Sequence, residues 1–196
     1  MIFETIICST KADGSPHLTP LGYTVAGDNV VLAPFEPSST LDNLREHGVA
    51  TLNMTVDVRI FAGCLTGRRD WPVVKADKID AWRLRDALAH KELTVVERVE
   101  DDVRPKFFCE INFEQQHEVF QGFNRAQAAV VEASILATRL DWLSPEKIRA
   151  ELEYLLIAVH KTGGGNERDA WQWVLEKIDS HPKHHGLIKH LEELSV

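Results

Sequence analysis

PFEPSSTLDNLREHGVATLN, residues 34–53, decides the fold of the first half of the chain, because it places a short helix between two strand-like segments. Ser39 is a suitable N-cap, and Asp42 follows it at the spacing of a capping box. Gly48 ends the predicted helix, since glycine readily adopts the left-handed conformation that closes a helix. The segment VATLNMT after it has the composition of a strand. The stretch therefore predicts a polar turn, a helix and a returning strand.

Three adjacent hydroxyl groups, on Ser38, Ser39 and Thr40, stand at the start of this helix. A helix N-terminus presents unpaired N–H groups and the positive end of the helix dipole, so these hydroxyls could help to bind a phosphate or carboxylate. Simple capping is the alternative, and it explains Ser39 alone. Asn43 and Asn53 add amides that could bind a planar ring presenting donors and acceptors, although each is also common in turns or on helix surfaces.

The residues before position 34 predict a meander of strands. IFETIICST and PHLTPLGYTV are separated by Asp13-Gly14, a typical hairpin turn, and Gly27-Asp28-Asn29 leads into VVLAPF. Pro20 and Gly22 are unfavourable in a central strand, because proline lacks a hydrogen-bond donor and glycine has no side chain to pack. They indicate a sheet edge, a β-bulge or a place where a ligand approaches the backbone.

Two more strands are predicted from LTVVERV and KFFCEINFEQQHEVF. A helix is predicted before these strands, from about Asp77 to His90, because its apolar residues would share one helical face. These residues are Ile79, Ala81, Trp82, Leu84 and Leu88. The sheet then has about six strands, which is enough to close into a small barrel.

The spacing of apolar residues changes after Gly122 from about two to about 3.6, which predicts helices to the end of the chain. Ala126 begins the first apolar stripe, Ser144-Pro145 begins the second helix, and Gly163-Gly164-Gly165 ends it. Asn166 with Asp169 is predicted to cap a third helix. A short last helix follows Pro182, with an apolar stripe of Leu187, Leu191 and Leu194.

Strands and helices are thus segregated along the sequence, which is typical of an α+β protein. We predict two domains: a β-barrel over residues 1–122 and an all-helical region over residues 123–196.

Composition excludes several classes of function. The formal net charge is −8 and the pI is about 5.6, so no basic surface for nucleic acid is expected. No apolar stretch has the length of a membrane span and the first residues do not resemble a signal peptide, so we expect no membrane partner and a cytoplasmic protein. Cys8, Cys64 and Cys109 lack metal-ligand spacing. His181 and His185 have ligand-like spacing, but Pro182 interrupts any helix through them and no carboxylate or cysteine completes a ligand set, so no metal site is predicted.

Three separated motifs carry a family resemblance. ETIICSTKADGSPHLTPLG, PFEPSSTLDNL and GFNRAQAAVVEASILATR resemble the DUF447 family, and the hydroxyl-rich turn with its helix and strand resembles the flavin-contacting segment of flavin reductase-like FMN-binding proteins. The resemblance extends over nearly the whole chain. It implies an FMN-binding split β-barrel, of the kind also found in pyridoxamine-phosphate-oxidase-like proteins, followed by a helical region and assembled as a homodimer.

The same resemblance implies a set of FMN-binding residues. The hydroxyl-bearing turn would bind the phosphate, with the two asparagines nearby, and part of the second strand would lie against the isoalloxazine ring. An asparagine–arginine pair at the start of the first carboxy-terminal helix would also reach the phosphate. In the order of these roles, the residues are Ser38, Ser39, Thr40, Asn43, Asn53, Thr19, Pro20, Leu21, Gly22, Asn124 and Arg125.

The function predicted from this resemblance is that of an FMN-dependent oxidoreductase whose substrate and catalytic residues are unknown. This fits a sequence without acid–base motifs, because the cofactor supplies the chemistry. A non-catalytic FMN carrier or sensor, acting as a homodimer, is the alternative. A structural dimerisation module without the cofactor is a third possibility.

Overall fold

A computed structural model describes residues 1–193, without the side chains of residues 190, 192 and 193. Leu194, which was predicted to lie on the apolar stripe of the last helix, is therefore outside the described residues. The chain divides into two compact units. The barrel unit comprises residues 1–55 and 70–120, and the helical unit comprises residues 56–69 and those from 121 onward. Each unit has its own hydrophobic core.

Six antiparallel strands close the barrel, in the spatial order β1, β2, β3, β8, β7, β4. Strands β5 and β6 form a separate two-stranded sheet. In chain order, the strands are β1 (Phe3–Thr10), β2 (Pro16–Ala26), β3 (Asn29–Leu32), β4 (Val49–Met54), β5 (Val73–Lys75), β6 (Trp82–Leu84), β7 (Ala89–Val99) and β8 (Lys106–Gln116).

The barrel interior is filled by apolar side chains that alternate along the strands. Ile7, Leu32, Leu52 and Phe107 are fully buried there, together with Leu41 of the helix α1 (Ser39–His47), which joins β3 to β4. The predicted α+β class, with a barrel before a helical region, is confirmed.

The predicted helix from Asp77 to His90 is wrong. The segment instead forms the β5–β6 hairpin, with Val73 opposite Leu84, and then enters β7. Two bonds from β4 hold β6 in this conformation: Thr51 Oγ1 donates to the Trp82 carbonyl at 2.8 Å, and the Leu84 N–H donates to Asn53 Oδ1 at 2.9 Å. These contacts between distant parts of the chain outweigh the local helical spacing.

The helical unit contains α2 (Val58–Thr66), α3 (Arg125–Ala137), α4 (Pro145–Thr162), α5 (Gly165–Asp179), a 3-10 turn (Pro182–His184) and α6 (Leu187–Glu193). Helix α2 was not predicted, although its apolar run VRIFAGCLT buries Val58 and Ala62 in the same core as α3, α4 and α5. No helix among residues 1–193 is both long and apolar enough to cross a membrane.

The start of α5 differs from the predicted cap. Gly164 precedes the helix, and its N–H donates to Glu167 at 2.9 Å, so Glu167 takes the role that Asn166 and Asp169 were expected to share.

All three cysteines are free and buried. Burial raises the pKa of Cys8 and Cys109 to about 12 and that of Cys64 to about 11. Their thiols therefore stay protonated near neutral pH and are poor nucleophiles.

Candidate functional site

The N-terminus of α1 presents two backbone amides that have no acceptor among the described residues. Ser38 is the N-cap: its backbone is extended, with φ −159° and ψ 149°, and its Oγ accepts from the Leu41 N–H at 3.3 Å. The backbone N–H groups of Ser39 and Thr40 come next, and neither donates a hydrogen bond to an acceptor in the described part of the chain. An anion at this point would meet both donors and the positive end of the helix dipole.

The predicted cap was therefore wrong by one residue. Ser39 already belongs to the helix, and with Ser38 as the N-cap Asp42 stands one position too late for a capping box. Ser39 does not cap the helix, and its side chain is exposed. Thr40, by contrast, is buried, with 3% of its surface exposed. The two hydroxyl groups thus lie at different depths at the same helix end.

The four predicted residues of β2 lie on an open edge of the barrel sheet. Thr19, Pro20, Leu21 and Gly22 pair with β1 in an unbroken register, in which Pro20 stands opposite Ile6. Pairing of β2 with β3 begins only at position 23, so in the described chain these four residues have no strand on their other side.

This edge explains why proline and glycine are tolerated in β2. A missing N–H costs little where no neighbouring strand requires it. No bulge interrupts the β1–β2 register. All four residues are partly exposed, and α1 packs against both β1 and β2. The structure therefore brings the predicted phosphate turn and the predicted ring-binding strand into one region of the barrel unit.

Asn43 fixes α1 to the barrel. Its Nδ2 donates to Ser9 Oγ on β1 at 2.9 Å, and its side chain is buried. Its amide therefore positions the helix, and with it the two unpaired amides at the N-terminus.

Asn53 is fully buried and its amide is bonded at both ends. Its Nδ2 donates to the Ile6 carbonyl at 3.0 Å and to Thr51 Oγ1 at 3.0 Å, while Oδ1 accepts from the Leu84 N–H. These bonds join β4 to β1 and β6. The geometry favours a structural role for Asn53 over the predicted contact with a flavin ring.

Asn124 and Arg125 belong to the helical unit, at the start of α3. Asn124 is the N-cap of α3: its Oδ1 accepts from the Ala126 N–H at 2.8 Å, and its Nδ2 donates to the Thr162 carbonyl at 3.0 Å. Its amide is thus used within the helical unit, and the role of Arg125 toward a phosphate stays a prediction.

A second polar cluster in the barrel unit was not predicted. Glu92 and His90 are fully buried on β7, and Asp77 and His117 approach them from the flanking loops. His90 Nε2 lies 3.2 Å from Glu92 Oε1 and 3.6 Å from Asp77 Oδ2, and His90 Nδ1 lies 2.9 Å from His117 Nε2. The sequence carries no local signal for this cluster, because His90 was assigned to the end of the predicted helix and Glu92 lies just before the predicted strand LTVVERV.

The charges in this cluster follow from its hydrogen bonds. Burial raises the pKa of the Glu92 carboxyl, but bonds from the backbone N–H groups of residues 77–79 and from His90 outweigh it, so the net pKa lies below the usual 4.5. Burial lowers the pKa of His117, and the nearby Arg83 charge and the His90 ring lower it further against the opposing effect of Asp77. Glu92 is therefore an anion and His117 is neutral near pH 7.

Comparison with solved structures identifies the class of fold. The FMN-bound protein MM1853 from Methanosarcina mazei matches with a TM-score of 0.77 and 20% identity, over 90% of this chain and 94% of its own. The 2-nitrobenzoate 2-nitroreductase NbaA of Pseudomonas fluorescens matches with a TM-score of 0.51 and 19% identity, over 58% of this chain and 64% of its own. A flavoredoxin from Methanosarcina acetivorans matches with a TM-score of 0.51 and 17% identity, over 62% of this chain and 73% of its own. The chain thus shares the fold of MM1853, and its barrel unit is similar in fold to the other two proteins.

The family follows from the sequence comparisons. Residues 3–118 match the N-terminal domain of the family described as protein of unknown function DUF447, and residues 124–176 match its second domain. The chain belongs to the DUF447 family, as the resemblance of its three motifs predicted.

Proposed function

We propose that this chain binds FMN in its barrel unit and uses it as an oxidoreductase whose substrate is unknown. One observation carries the proposal: helix α1, whose N-terminus has two unpaired amides, packs against β2, the strand whose edge is open at residues 19–22. The FMN-bound state of the similarly folded MM1853 supports the choice of cofactor.

The residues present fit such a cofactor. Ser39 and Thr40 would bind the phosphate through their N–H and hydroxyl groups, because a helix N-terminus favours a doubly charged anion. Pro20 and Gly22 would lie beneath the flavin ring, since an unpaired strand edge without bulky side chains gives access to the backbone. Asn43 would act indirectly, by holding α1 in place.

When bound, FMN supplies hydride or electron transfer. The chain would bind and orient the cofactor and exclude water from it. The three cysteine thiols fit this division of roles, because burial raises their pKa and keeps them protonated, so they are poor nucleophiles.

The absorbance spectrum of freshly purified protein tests cofactor binding. We expect a yellow protein with flavin bands and about one FMN per chain. Protein that stays colourless after expression and purification with excess FMN would contradict the proposal and favour the structural module.

The rate at which the bound flavin is reduced distinguishes an oxidoreductase from a non-catalytic carrier or sensor. We expect NADH, NADPH or a reduced deazaflavin to bleach the flavin bands rapidly. Reduction by none of these donors, or slow reduction accompanied by a change in dimer contacts, would favour the non-catalytic carrier or sensor.

Thr40→Val tests the phosphate site. Loss of one hydrogen bond to a charged phosphate is expected to weaken FMN binding by about 1.5 to 3 kcal/mol, roughly tenfold or more in Kd. The measurement is titration of apoprotein followed by the quenching of flavin fluorescence.

Thr94→Val is the matched control for this variant. Thr94 is partly exposed in the same barrel, opposite Val49 and thus beside the C-terminal end of α1. Its FMN affinity should equal that of the wild type. Equal affinity in Thr40→Val as well would falsify the phosphate assignment.

The proposed FMN protein is a cytoplasmic homodimer. Large apolar side chains on the barrel strands are exposed in the single chain, including Phe3, Val25, Val96, Val99 and Ile111. Burial of these side chains against a second copy of the chain would stabilise the dimer. Sedimentation of the purified holoprotein should give twice the mass of the chain, and a monomer at micromolar concentration would rule out the dimer.

A further inference from the structure

Three side chains that could bind one cation lie together in the barrel unit, and none of them belongs to the residues proposed for FMN. We propose that Asp77, His90 and Glu92 bind a divalent transition-metal ion of the zinc type. The ligand atoms are Asp77 Oδ2, His90 Nε2 and Glu92 Oε1. Nothing in the proposed FMN chemistry requires this ion, so the two proposals can fail separately.

The distances between these atoms suit one small ion. His90 Nε2 lies 3.2 Å from Glu92 Oε1 and 3.6 Å from Asp77 Oδ2, and all the potential ligand atoms lie within 4.8 Å of one another. In a tetrahedral zinc site, bonds of about 2.0 to 2.2 Å place neighbouring ligand atoms roughly 3.3 to 3.6 Å apart. Two of the three distances are therefore close to the required length, and the third is at most 4.8 Å.

Glu92 keeps one free acceptor position for the ion. Its Oε1 accepts from the Asp77 N–H at 2.5 Å, and its Oε2 accepts from the N–H groups of Lys78 and Ile79 at 2.7 and 3.0 Å. A carboxylate has about four acceptor positions, so the fourth, on Oε1, is directed at His90. The three backbone bonds hold the carboxylate in a fixed orientation.

His117 completes the arrangement from outside the ligand set. With the ion on His90 Nε2, the proton of the ring resides on Nδ1 and is donated to His117 Nε2, 2.9 Å away. A metal-binding histidine commonly donates its other ring N–H in this way, which fixes its tautomer.

The charges converging here are incompletely balanced without a cation. Two carboxylates approach the same imidazole nitrogen, and the cation beside them, Arg83, has its Nε 3.7 Å from Asp77 Oδ2. That Nε is buried and has no hydrogen-bond partner among the described residues. A divalent ion would neutralise both carboxylates. Since the Asp77 side chain is 42% exposed, the ion can enter from this side and retain a water as its fourth ligand.

The donor set selects the class of ion. One imidazole with two carboxylates favours zinc and its neighbours over magnesium, which prefers oxygen ligands and its own water shell. No ligand motif marks this site in the sequence, because Asp77 lies in the turn between β5 and β6, whereas His90 and Glu92 follow on β7.

Titration of the chelator-treated full chain with ZnCl2, followed by calorimetry, tests the site. We expect one tight site per chain, at least 100-fold weaker binding of MgCl2, and visible absorption bands of a four-coordinate ion when CoCl2 replaces ZnCl2. Bound zinc should also raise the Tm of the protein.

Asp77→Asn and His90→Gln are the diagnostic variants. Each should weaken zinc binding by about 10- to 100-fold or more. Asp80→Asn is the matched control, because Asp80 is exposed in the same turn and pairs with Lys75. Asp77 is itself exposed, so Asp77→Asn is expected to fold. Absence of a wild-type site, or equal zinc affinity in the wild type and Asp77→Asn, would overturn the proposal and place any bound zinc elsewhere, such as on the carboxy-terminal histidines.

Discussion

Replacing Glu92 with leucine is expected to lower the free energy of unfolding of the barrel unit by about 3 kcal/mol. The change removes the acceptor of three N–H groups in the turn at residues 77–79 and the partner of the buried His90 ring. The leucine side chain recovers some apolar burial, but it cannot satisfy the N–H groups. The turn before β6 should therefore open, and the amides of residues 77–79 should lose protection from hydrogen exchange.

The effect should depend on pH with a defined sign. The pKa of Glu92 in the folded protein lies below its usual 4.5, so its carboxylate stabilises the fold at pH values above about 4.5. This contribution is lost as the pH falls toward the folded-state pKa, because the proton then binds the unfolded chain first. The stability difference between wild type and Glu92→Leu should thus be full at pH 7 and shrink below about pH 4.5.

Urea denaturation at several pH values measures this difference. Glu97→Leu is the control, since Glu97 lies on the same strand but is exposed, and it should leave the stability nearly unchanged. Glu92→Gln keeps one carbonyl acceptor and should fall between wild type and Glu92→Leu. If Glu92→Leu were as stable as Glu97→Leu, with protected amides at residues 77–79, the carboxylate would not be what holds the turn.

The two halves of the fold could be predicted from sequence because each follows a local pattern. Alternation along the strands and the 3.6-residue spacing after Gly122 report which face of each element is buried. The segment from Asp77 to His90 misled the same reasoning, because its apolar residues happen to have helical spacing. Bonds from Thr51 and Asn53 decide its true conformation, and no local pattern can reveal a partner about 30 residues away.

The candidate site was predictable in part for the same reason. The helix N-terminus and the strand edge at Pro20 have local signals, a cap and a proline. The cap was predicted at Ser39, one residue too late, and the edge was one of three explanations offered for Pro20. The buried cluster of Glu92, His90 and Asp77 depends on how β7 meets the hairpin, so its residues looked like ordinary surface polar groups. Asparagine gives the weakest signal, because a buried structural amide and a ligand-binding amide look alike in sequence.

Replacing Asn53 with leucine should separate these two roles. If the amide is structural, the change leaves the Ile6 carbonyl and the Leu84 N–H without their partner in the interior, and stability should fall by about 2 to 4 kcal/mol. Leucine branches at the same atom as asparagine but is larger, so no cavity forms and some overpacking adds to the cost. The Leu84 amide should exchange faster with solvent, since its acceptor is gone.

The Kd of Asn53→Leu for FMN distinguishes a structural amide from one that contacts the flavin ring. At a temperature where the Asn53→Leu chain is folded, a structural amide leaves the Kd for FMN nearly unchanged, whereas an amide that contacts the flavin ring weakens binding without the large loss of stability. Asn112→Leu is the control, because Asn112 is exposed on β8 and bonds only to Thr94 and Glu110 among the described residues. A large loss of FMN affinity in Asn53→Leu, with a Tm equal to that of Asn112→Leu, would return Asn53 to the flavin site and require the bonds around it to rearrange when the cofactor binds.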